Sequence, residues 1–182
     1  MSKRILLHMC CGPCSIYPLS QLKRNWEVTG LFYNPNIHPY TEYKKRLETA
    51  EEFAISESIR FIKIEEYKLE EFLRNAAFRE SQRCIWCYSE RLERAASVAK
   101  NGGYDAFTTS LLVSPFQNHD EIMRIGEEAG KKYGIEFYYE DFRAGYKEGT
   151  EKSKELKMYR QQYCGCIYSE KERYLPEKKK RV

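Results

Sequence analysis

The 182-residue sequence has no apolar segment close to the roughly 20 residues that a membrane-spanning helix needs. Its 31 Lys and Arg residues nearly balance its 27 Asp and Glu residues, which excludes a histone-like basic binder and an acidic disordered chain. The basic N-terminal start is interrupted at His8 and then by cysteines, so it does not resemble a secretory signal peptide. With no internal repeat and no low-complexity linker, we expect a cytoplasmic protein with a single domain over residues 1–182 and a charged C-terminal tail.

Cysteine is the residue type that stands out among those present, with seven copies in three short sets. The sets are, in chain order, Cys10 with Cys11 and Cys14, Cys84 with Cys87, and Cys164 with Cys166. Thiols stay reduced in the cytosol, where clustered cysteines bind metal or carry out redox chemistry more often than they form structural disulfides. The sequence therefore predicts a metal or redox site rather than a disulfide framework.

Short apolar segments alternate with amphipathic helical patterns along the chain. The predicted strands cover residues 5–9, 28–33, 61–64, 106–113 and 135–139. The predicted helices include residues 41–54, 69–78, 89–100 and 150–163, with one more between an N-cap at Asn118 and a C-terminal Gly134. Strands separated by helices imply parallel pairing through right-handed crossovers. We therefore expect a three-layer α/β domain with about five parallel strands.

The first cysteine set comes directly after the first predicted strand. Ligands of such sheets bind at the carboxyl ends of the strands. Cys10, Cys11 and Cys14 therefore lie where the site of this domain is expected. The other two sets are predicted to lie in loops that fold onto the same edge.

Two or three cysteine sets brought together offer enough thiolates for either of two metal centres. Zinc takes four thiolates in a closed tetrahedron, and a [4Fe-4S] cluster also takes four. The side chains of the adjacent Cys10 and Cys11 are expected to diverge, which is awkward for one zinc ion and favours the wider cluster. The sequence leaves three roles open for Cys14: a cluster ligand, a ligand of a second metal, or a packed thiol at the start of a helix.

Two pairs of cysteines also suggest redox chemistry without a cluster. Cys164 and Cys166 are separated by one glycine, a spacing that permits a strained and labile disulfide, so a redox dithiol or a second metal site is predicted there. Cys11 and Cys14 match the C-G-P-C turn of thioredoxin-like proteins, in which a helix N-terminus lowers the pKa of the first thiol. A thioredoxin fold needs a mixed sheet, and the predicted crossovers argue against it.

The remaining candidate residues are histidines, carboxylates and tyrosines near predicted strand ends. His8 lies in a buried strand, and we expect a hydrogen-bonded core histidine rather than a ligand. For His38, at the end of the second strand, a substrate-binding or supporting role and no role at the site are equally well supported. Glu140 and Asp141 follow the fifth strand and could supply a proton or bind a metal, although loop carboxylates commonly do neither. Tyrosines interleaved with Lys and Arg over residues 139–168 suggest base stacking and phosphate contacts as readily as an exposed charged helix.

Four motifs together make the chain similar to the QueH family of epoxyqueuosine reductases, the cobalamin-independent type. They are residues 7–14 (LHMCCGPC), 32–39 (FYNPNIHP), 83–88 (RCIWCY) and 163–169 (YCGCIYS). They span most of the chain in the order that the family shows, and they are specific only in combination.

This resemblance implies an oxidoreductase that acts on tRNA at the last step of queuosine synthesis. It would remove the epoxide oxygen of epoxyqueuosine at the wobble position of the anticodon, giving a cyclopentene and water. The implied fold is like that of the adenine-nucleotide α-hydrolases (HUP-like), with the cysteine turn in place of a phosphate loop. Because no Ser-Gly-Gly pattern is present, ATP use is not expected. The implied partners are tRNA, to which a basic run at 178–181 would add affinity, and an unidentified electron donor.

The resemblance also implies a [4Fe-4S] cluster with an additional metal ion, expected to be iron. Carried over by motif, Cys10, Cys11, Cys84 and Cys87 would hold the cluster. Cys164 and Cys166 would form a redox-active pair or bind the second metal, for which Cys14 is a further candidate. Asp141 or a tyrosine would protonate the oxygen that leaves. The alternatives from other classes are a structural zinc RNA-binding module and a thioredoxin-like thiol oxidoreductase.

Overall fold

A parallel sheet forms the centre of the molecule, in a computed structural model that describes residues 2–175. Its strands are β1 (Arg4–His8), β2 (Glu27–Phe32), β3 (Arg60–Lys63), β4 (Ala106–Thr109) and β5 (Glu136–Phe137). They lie in the order β3-β2-β1-β4-β5, and every adjacent pair is parallel. In register, His8 at the end of β1 lies beside Leu31 of β2 and Thr109 of β4. The predicted α/β class with a five-stranded parallel sheet is confirmed.

Helices cover both faces of the sheet. Within residues 2–175 the α-helices are α1 (Gly12–Leu22), α2 (Tyr40–Ser56), α3 (Leu69–Ala76), α4 (Arg83–Asn101), α5 (His119–Tyr133), α6 (Tyr146–Glu155) and α7 (Ile167–Tyr174). The helix pair α1 and α2 and the helix pair α4 and α5 each pack together. From β1 the chain adds β2 and β3 on one side, and it then returns to add β4 and β5 on the other side. Because the crossovers in both directions are right-handed, the two helix pairs lie on opposite faces of the sheet. The result is the expected three-layer arrangement. None of the helices in this part of the chain is long and apolar enough to cross a membrane.

The strand order reverses between β1 and β4, and this point positions the site. Chain connections leave β1 and β4 toward opposite sides, which opens a crevice at the carboxyl ends of these two strands. The residues that follow the strands meet there, because the backbone N–H of Cys10 donates to the hydroxyl of Ser110 at 3.0 Å. The first cysteine set therefore lies at the reversal point of the sheet.

The core explains why these segments form these elements. Ile5, Leu6 and Leu7 are fully buried in β1, and burying each such side chain stabilises the fold by roughly 1.5–3 kcal/mol. The apolar stripe predicted on α4 is buried as well. The predicted cap at Asn118 is confirmed, since its side chain accepts from the backbone N–H of Glu121 at 3.2 Å.

Strand β4 is shorter than the predicted segment 106–113. It ends at Thr109, and residues Ser110–Val113 form a short 3₁₀ helix. The Thr109 hydroxyl accepts from the backbone N–H of Leu111 at 3.2 Å, so a local side-chain bond turns the chain out of the sheet. The same hydroxyl lies 2.8 Å from the Nδ1 atom of His8 in β1.

Helix α4 begins at Arg83, earlier than the predicted start at residue 89. The prediction that Cys84 and Cys87 lie in a loop is therefore wrong. No glycine or proline interrupts residues 83–89, and a spacing of three residues puts both thiols on one face of the first turn.

The predicted helix 150–163 is wrong at both ends. Helix α6 begins at Tyr146 and ends at Glu155, after which Lys157 adopts a left-handed backbone with a φ of 52° and turns the chain. Helix α7, which follows Cys166, was not predicted. The basic run at 178–181 lies outside the described residues.

Candidate functional site

Three thiols converge at the junction of β1 and α1. We call Cys10, Cys11 and Cys14 the tri-cysteine group, and their sulfur atoms all lie within 4.8 Å of one another. Between residues 2 and 175, no other three His, Cys, Asp or Glu side chains reach this spacing. The expectation that Cys10 and Cys11 diverge is wrong. Cys11 is the extended N-cap residue of α1, and its sulfur accepts from the backbone N–H of Cys14 at 3.4 Å, which holds it beside the other two thiols.

The tri-cysteine group concentrates negative charge on one sulfur. The pKa of Cys10 lies well below its ordinary value, because its sulfur accepts hydrogen bonds from the thiols of Cys11 and Cys14 and from the hydroxyl of Ser110. Burial raises the pKa of Cys11, and the hydrogen bond to Cys10 raises that of Cys14. These hydrogen bonds and the dipole of α1, whose N-terminus lies at the group, both favour the negatively charged form of Cys10.

Glycine is required at position 12 because α2 approaches closely. A Cβ atom there would lie 2.9 Å from the carbonyl oxygen of Thr49 in α2. On another side, the amide of Gln161 donates to the sulfur of Cys14 at 3.0 Å. The tri-cysteine group is therefore enclosed by α2 and by the segment that follows α6.

The other four thiols line a small cavity of their own. We call Cys84, Cys87, Cys164 and Cys166 the four-cysteine group. Cys87 and Cys166 are buried, whereas Cys84 and Cys164 are exposed. No three of these sulfur atoms lie as close together as those of the tri-cysteine group. The space between the side chains is about 10 Å³, so a cluster requires the exposed thiols to move apart.

The loop that carries Cys164 and Cys166 is tied to α2 and to the segment after β2. The guanidinium of Arg46 donates to the carbonyl oxygens of Tyr163 and Cys164 at 2.9 and 2.8 Å. The backbone N–H of His38 donates to the carbonyl of Gly165 at 2.8 Å. Gly165 has a φ of 154°, and a Cβ atom there would meet Arg46 at 3.4 Å. These contacts hold in place the third cysteine set, which lines the same cavity as the second.

Both site histidines are neutral supports rather than exposed ligands. His8 is fully buried, with Nδ1 at 2.8 Å from the Thr109 hydroxyl and Nε2 at 3.1 Å from the carbonyl of Tyr33, so the prediction of a hydrogen-bonded core histidine is confirmed. Burial lowers its pKa to about 4. Burial also lowers the pKa of His38 to about 4, and its Nδ1 atom accepts from the backbone N–H of Ile167 at 3.4 Å.

Polar side chains contact the four-cysteine group from α4 and from the loop before α5. Arg91 in α4 donates to the sulfur of Cys87 at 3.0 Å, and Gln117 donates to that of Cys164 at 3.4 Å. Burial raises the pKa of Cys87 to about 12, with the charge of Arg91 acting in the opposite direction. The sulfurs therefore face hydrogen-bond donors, which favour their negatively charged form.

A larger cavity of about 310 Å³ adjoins both thiol groups. Its lining includes the thiols of Cys10, Cys14 and Cys164, the aromatic rings of Phe116 and Tyr146, the guanidinium of Arg46 and the amides of Gln117, Gln161 and Gln162. Cys164 and Gln117 line the smaller cavity as well, so the two spaces are neighbours. We call it the central cavity. Its mixture of thiols, aromatic rings and amides suits a planar polar ligand beside a thiolate centre.

The structure argues against Asp141 as a proton donor. Arg143 forms a two-point ion pair with it, with nitrogen–oxygen distances of 2.8 and 2.6 Å. Hydrogen bonds from Arg143 lower the pKa of Asp141 to about 2, so it is ionised at neutral pH. The neighbouring Glu140 accepts a hydrogen bond from the hydroxyl of Tyr138 at 2.9 Å. Neither carboxylate lines the central cavity.

Sequence reasoning missed the two buried arginines and the exposed aromatic ring of the site. Arg46 and Arg91 are 2% and 3% exposed, whereas Phe116 is 81% exposed. A signal was present for the arginines, because each lies four residues before a buried alanine on the apolar stripe of its helix. Phe116 follows a proline in a loop and gives no periodic signal.

Comparison with known proteins gives one consistent family. A family model described as "Epoxyqueuosine reductase QueH" matches residues 5–172. A protein of that name from Dehalococcoides mccartyi is 36% identical over 175 residues, which cover 96% of this chain and 96% of the relative. Another of that name from Thermotoga maritima is 38% identical over 179 residues, covering 93% of this chain and 91% of the relative.

A solved structure supports the fold alone. It is described as a predicted subunit of a tRNA methyltransferase from Methanocaldococcus jannaschii, and it matches with a TM-score of 0.55 at 14% sequence identity. The match covers 85% of this chain and 75% of that chain. It is consistent with the HUP-like architecture that the motifs suggested.

Proposed function

Because the chain belongs to the QueH family of epoxyqueuosine reductases, we propose that it removes the epoxide oxygen of epoxyqueuosine in tRNA. The enzyme is an oxidoreductase, and the family's reaction serves queuosine synthesis in tRNA. Two electrons and two protons convert the epoxide into a cyclopentene and water. The observation that carries the proposal is the placement of thiols from all three cysteine sets around two neighbouring cavities.

The donor sets of both thiol groups fit metal centres. Thiolates are the ligands of iron–sulfur clusters and of soft single ions. The four-cysteine group offers the four thiolates that a [4Fe-4S] cluster takes, and the tight tri-cysteine group supports a second metal ion, for which iron is our candidate. When bound, such centres supply electrons and Lewis acidity. This division of the cysteines between two metal centres differs from the one that the family motifs suggested. In that division, Cys10, Cys11, Cys84 and Cys87 hold the cluster, and Cys164 and Cys166 form a redox pair or bind the second metal.

The central cavity supports binding of the modified wobble nucleoside. A base that undergoes chemistry must leave the anticodon stack, and stacking on aromatic side chains offsets the cost. Phe116 and Tyr146 lie edge to face at the cavity, with ring centres 5.9 Å apart. The amide side chains offer donors and acceptors for the base edge, and Arg46 keeps a positive charge beside it.

Tyr146 is our candidate for the group that gives a proton to the leaving oxygen. It lines the central cavity, and its hydroxyl forms no hydrogen bond with another residue in the described part of the chain. A general acid has to lie within hydrogen-bond reach of the reacting oxygen, and this half-buried tyrosine lines the cavity in which that oxygen would lie. Tyr163 also lines the cavity, but its hydroxyl donates to the carbonyl of His38.

The test combines metal analysis with analysis of tRNA nucleosides. We expect anaerobic reconstitution with iron and sulfide to give a brown protein with broad absorption near ~400 nm. The reduced protein should then convert epoxyqueuosine in tRNA to queuosine, as measured by mass spectrometry of digested nucleosides. Zinc binding without sulfide or colour, together with unchanged nucleosides, would instead support a structural RNA-binding module. Insulin disulfide reduction by metal-free protein would support a thioredoxin-like activity, which the parallel sheet argues against.

A further inference from the structure

Arg91 is a buried cation in direct contact with a thiol. It lies one turn after Cys87 in α4 and is 3% exposed. Its Nε atom donates to the carbonyl oxygen of Cys87 at 2.9 Å, and its Nη2 atom donates to the sulfur of the same residue at 3.0 Å. The guanidinium also lies 5.9 Å from the ring centre of Tyr88. This two-point contact fixes the positive charge beside one sulfur of the four-cysteine group.

No carboxylate balances this charge among residues 2–175. Arg46, the other fully buried arginine, is paired with Glu42 at 2.7 Å, and Arg94 on the same helix is paired with Glu66 at 3.0 Å. Arg91 has no such partner in the described chain, and the negative groups that act on it are the sulfurs of Cys87, Cys164 and Cys10. An isolated buried charge is costly, so native proteins pair it or place it beside a metal centre.

We propose that Arg91 is a positioning residue whose charge neutralises the thiolates of the four-cysteine group and raises the reduction potential of the centre held there. This inference rests on the proposed function, because it requires a redox centre at that group. Each electron that the centre accepts adds negative charge, and a fixed cation in a poorly hydrated site favours the more negative state. The N–H bond to sulfur acts in the same direction.

The position of Arg91 also links the two thiol groups. Its charge acts on Cys10 of the tri-cysteine group as well as on Cys87 and Cys164 of the four-cysteine group. Lysine cannot reproduce the arrangement, because an ammonium lacks the planar fork that contacts the carbonyl and the sulfur together. A purely structural arginine would contribute packing against Tyr88 and the carbonyl bond, neither of which alters a potential.

The test compares Arg91→Met, Arg91→Lys and the control Arg94→Met in the reconstituted full-length chain. Arg94 lies on the same helix, is paired with a carboxylate and contacts no cysteine. After iron and sulfide have been measured, the midpoint potential is determined at one fixed pH by absorbance titration. We expect a more negative potential in Arg91→Met, a smaller shift in the same direction in Arg91→Lys, and the native value in Arg94→Met.

The outcomes separate this inference from the proposed function. A loaded Arg91→Met variant with the native potential would overturn the role of Arg91 and leave the proposed function intact. A native chain that takes up no iron and sulfide would overturn both. Should Arg91→Met fail to fold, Arg91→Gln, which also lacks the charge, takes its place. A second readout is the rise in Tm on loading, which should be smaller in Arg91→Met than in Arg94→Met, because only the former loses the counter-charge.

Discussion

At the scale of single residues, the buried sulfurs of Cys10 and Cys87 have opposite surroundings. Hydrogen bonds from neighbouring thiols lower the pKa of Cys10, whereas burial raises that of Cys87 to about 12 and only Arg91 opposes the rise. Chemically identical side chains are therefore prepared for different roles. Hydrogen bonds within the tri-cysteine group favour the thiolate form of Cys10, whereas at Cys87 the charge of Arg91 favours it.

Serine variants distinguish the two ligand divisions. If the four-cysteine group holds the cluster, Cys166→Ser should lose most of the cluster absorption and Cys10→Ser should keep it. The measurement is the absorption near ~400 nm per protein after reconstitution, with iron and sulfide analysis beside it. The reverse pattern, with Cys10→Ser colourless and Cys166→Ser brown, would support the division suggested by the family motifs. Cys14→Ser is the matched control, because neither division requires that thiol for the cluster.

Replacement of Tyr146 by phenylalanine tests the proton donor. The variant keeps the ring at the central cavity and removes only the hydroxyl, so we expect kcat for deoxygenation to fall roughly 100-fold or more with little change in KM. Asp141→Asn should leave kcat close to native, since Asp141 is ionised and paired with Arg143. A Tyr146→Phe enzyme with native kcat would exclude this residue as the donor.

At the scale of elements, the apolar stripes of α2 and α4 each carry one arginine toward the site. Both helices were predicted from their apolar periodicity, but the arginines within the stripes were not recognised as site residues. Arg46 ties down the loop of residues 163–166, and Arg91 contacts Cys87. A charged residue at a buried helical position was the signal in the sequence. What it contacts could not be predicted, because its partners lie in distant segments.

The segment after β2 makes stability depend on pH through His38. Its pKa is lowered from 6.5 to about 4 by burial. Below its ordinary pKa the unfolded chain binds a proton that the folded chain excludes, so the free energy of unfolding should fall as pH drops from 6.5 toward 4. Urea unfolding of the metal-free chain at pH values on either side of this window measures the fall.

The control for this prediction is His38→Asn, whose side-chain oxygen can still accept from the backbone N–H of Ile167. We expect a shallower loss of stability in the variant than in the native chain. Part of the loss should remain, because His8 shifts in the same direction. An equal loss in both chains would show that His38 does not stay neutral when folded.

At the scale of the whole molecule, the sheet and the position of the site could be predicted, whereas the division of the thiols could not. The buried strands and crossover helices fixed the parallel topology, and Cys10 was correctly expected at the carboxyl end of β1. The start of α4 was missed because Cys84 and Cys87 resemble a loop motif in sequence. The path of residues 156–166 depends on Arg46 and His38, whose contacts span long separations along the chain.

The exposed ring of Phe116 bears on how the whole molecule binds tRNA. Stacking of a base on an aromatic ring contributes about 1–3 kcal/mol, so Phe116→Ala should raise the KM for tRNA about tenfold while Phe116→Trp retains binding. The matched control is Phe78→Ala, since Phe78 is 99% exposed and does not line the central cavity. Equal KM values for Phe116→Ala and the native enzyme would remove Phe116 from the substrate site.

The most direct measurement mixes the reduced, reconstituted protein with tRNA containing epoxyqueuosine in the absence of other reductants. The absorption of the thiolate-bound centre is followed in time, and the nucleosides are analysed by mass spectrometry at the end. The account predicts that the reduced metal centres together give up two electrons for each oxygen atom lost from epoxyqueuosine, and that tRNA already containing queuosine causes no reoxidation. Reoxidation that is the same with both tRNAs, or loss of oxygen without any change in the centre, would contradict it.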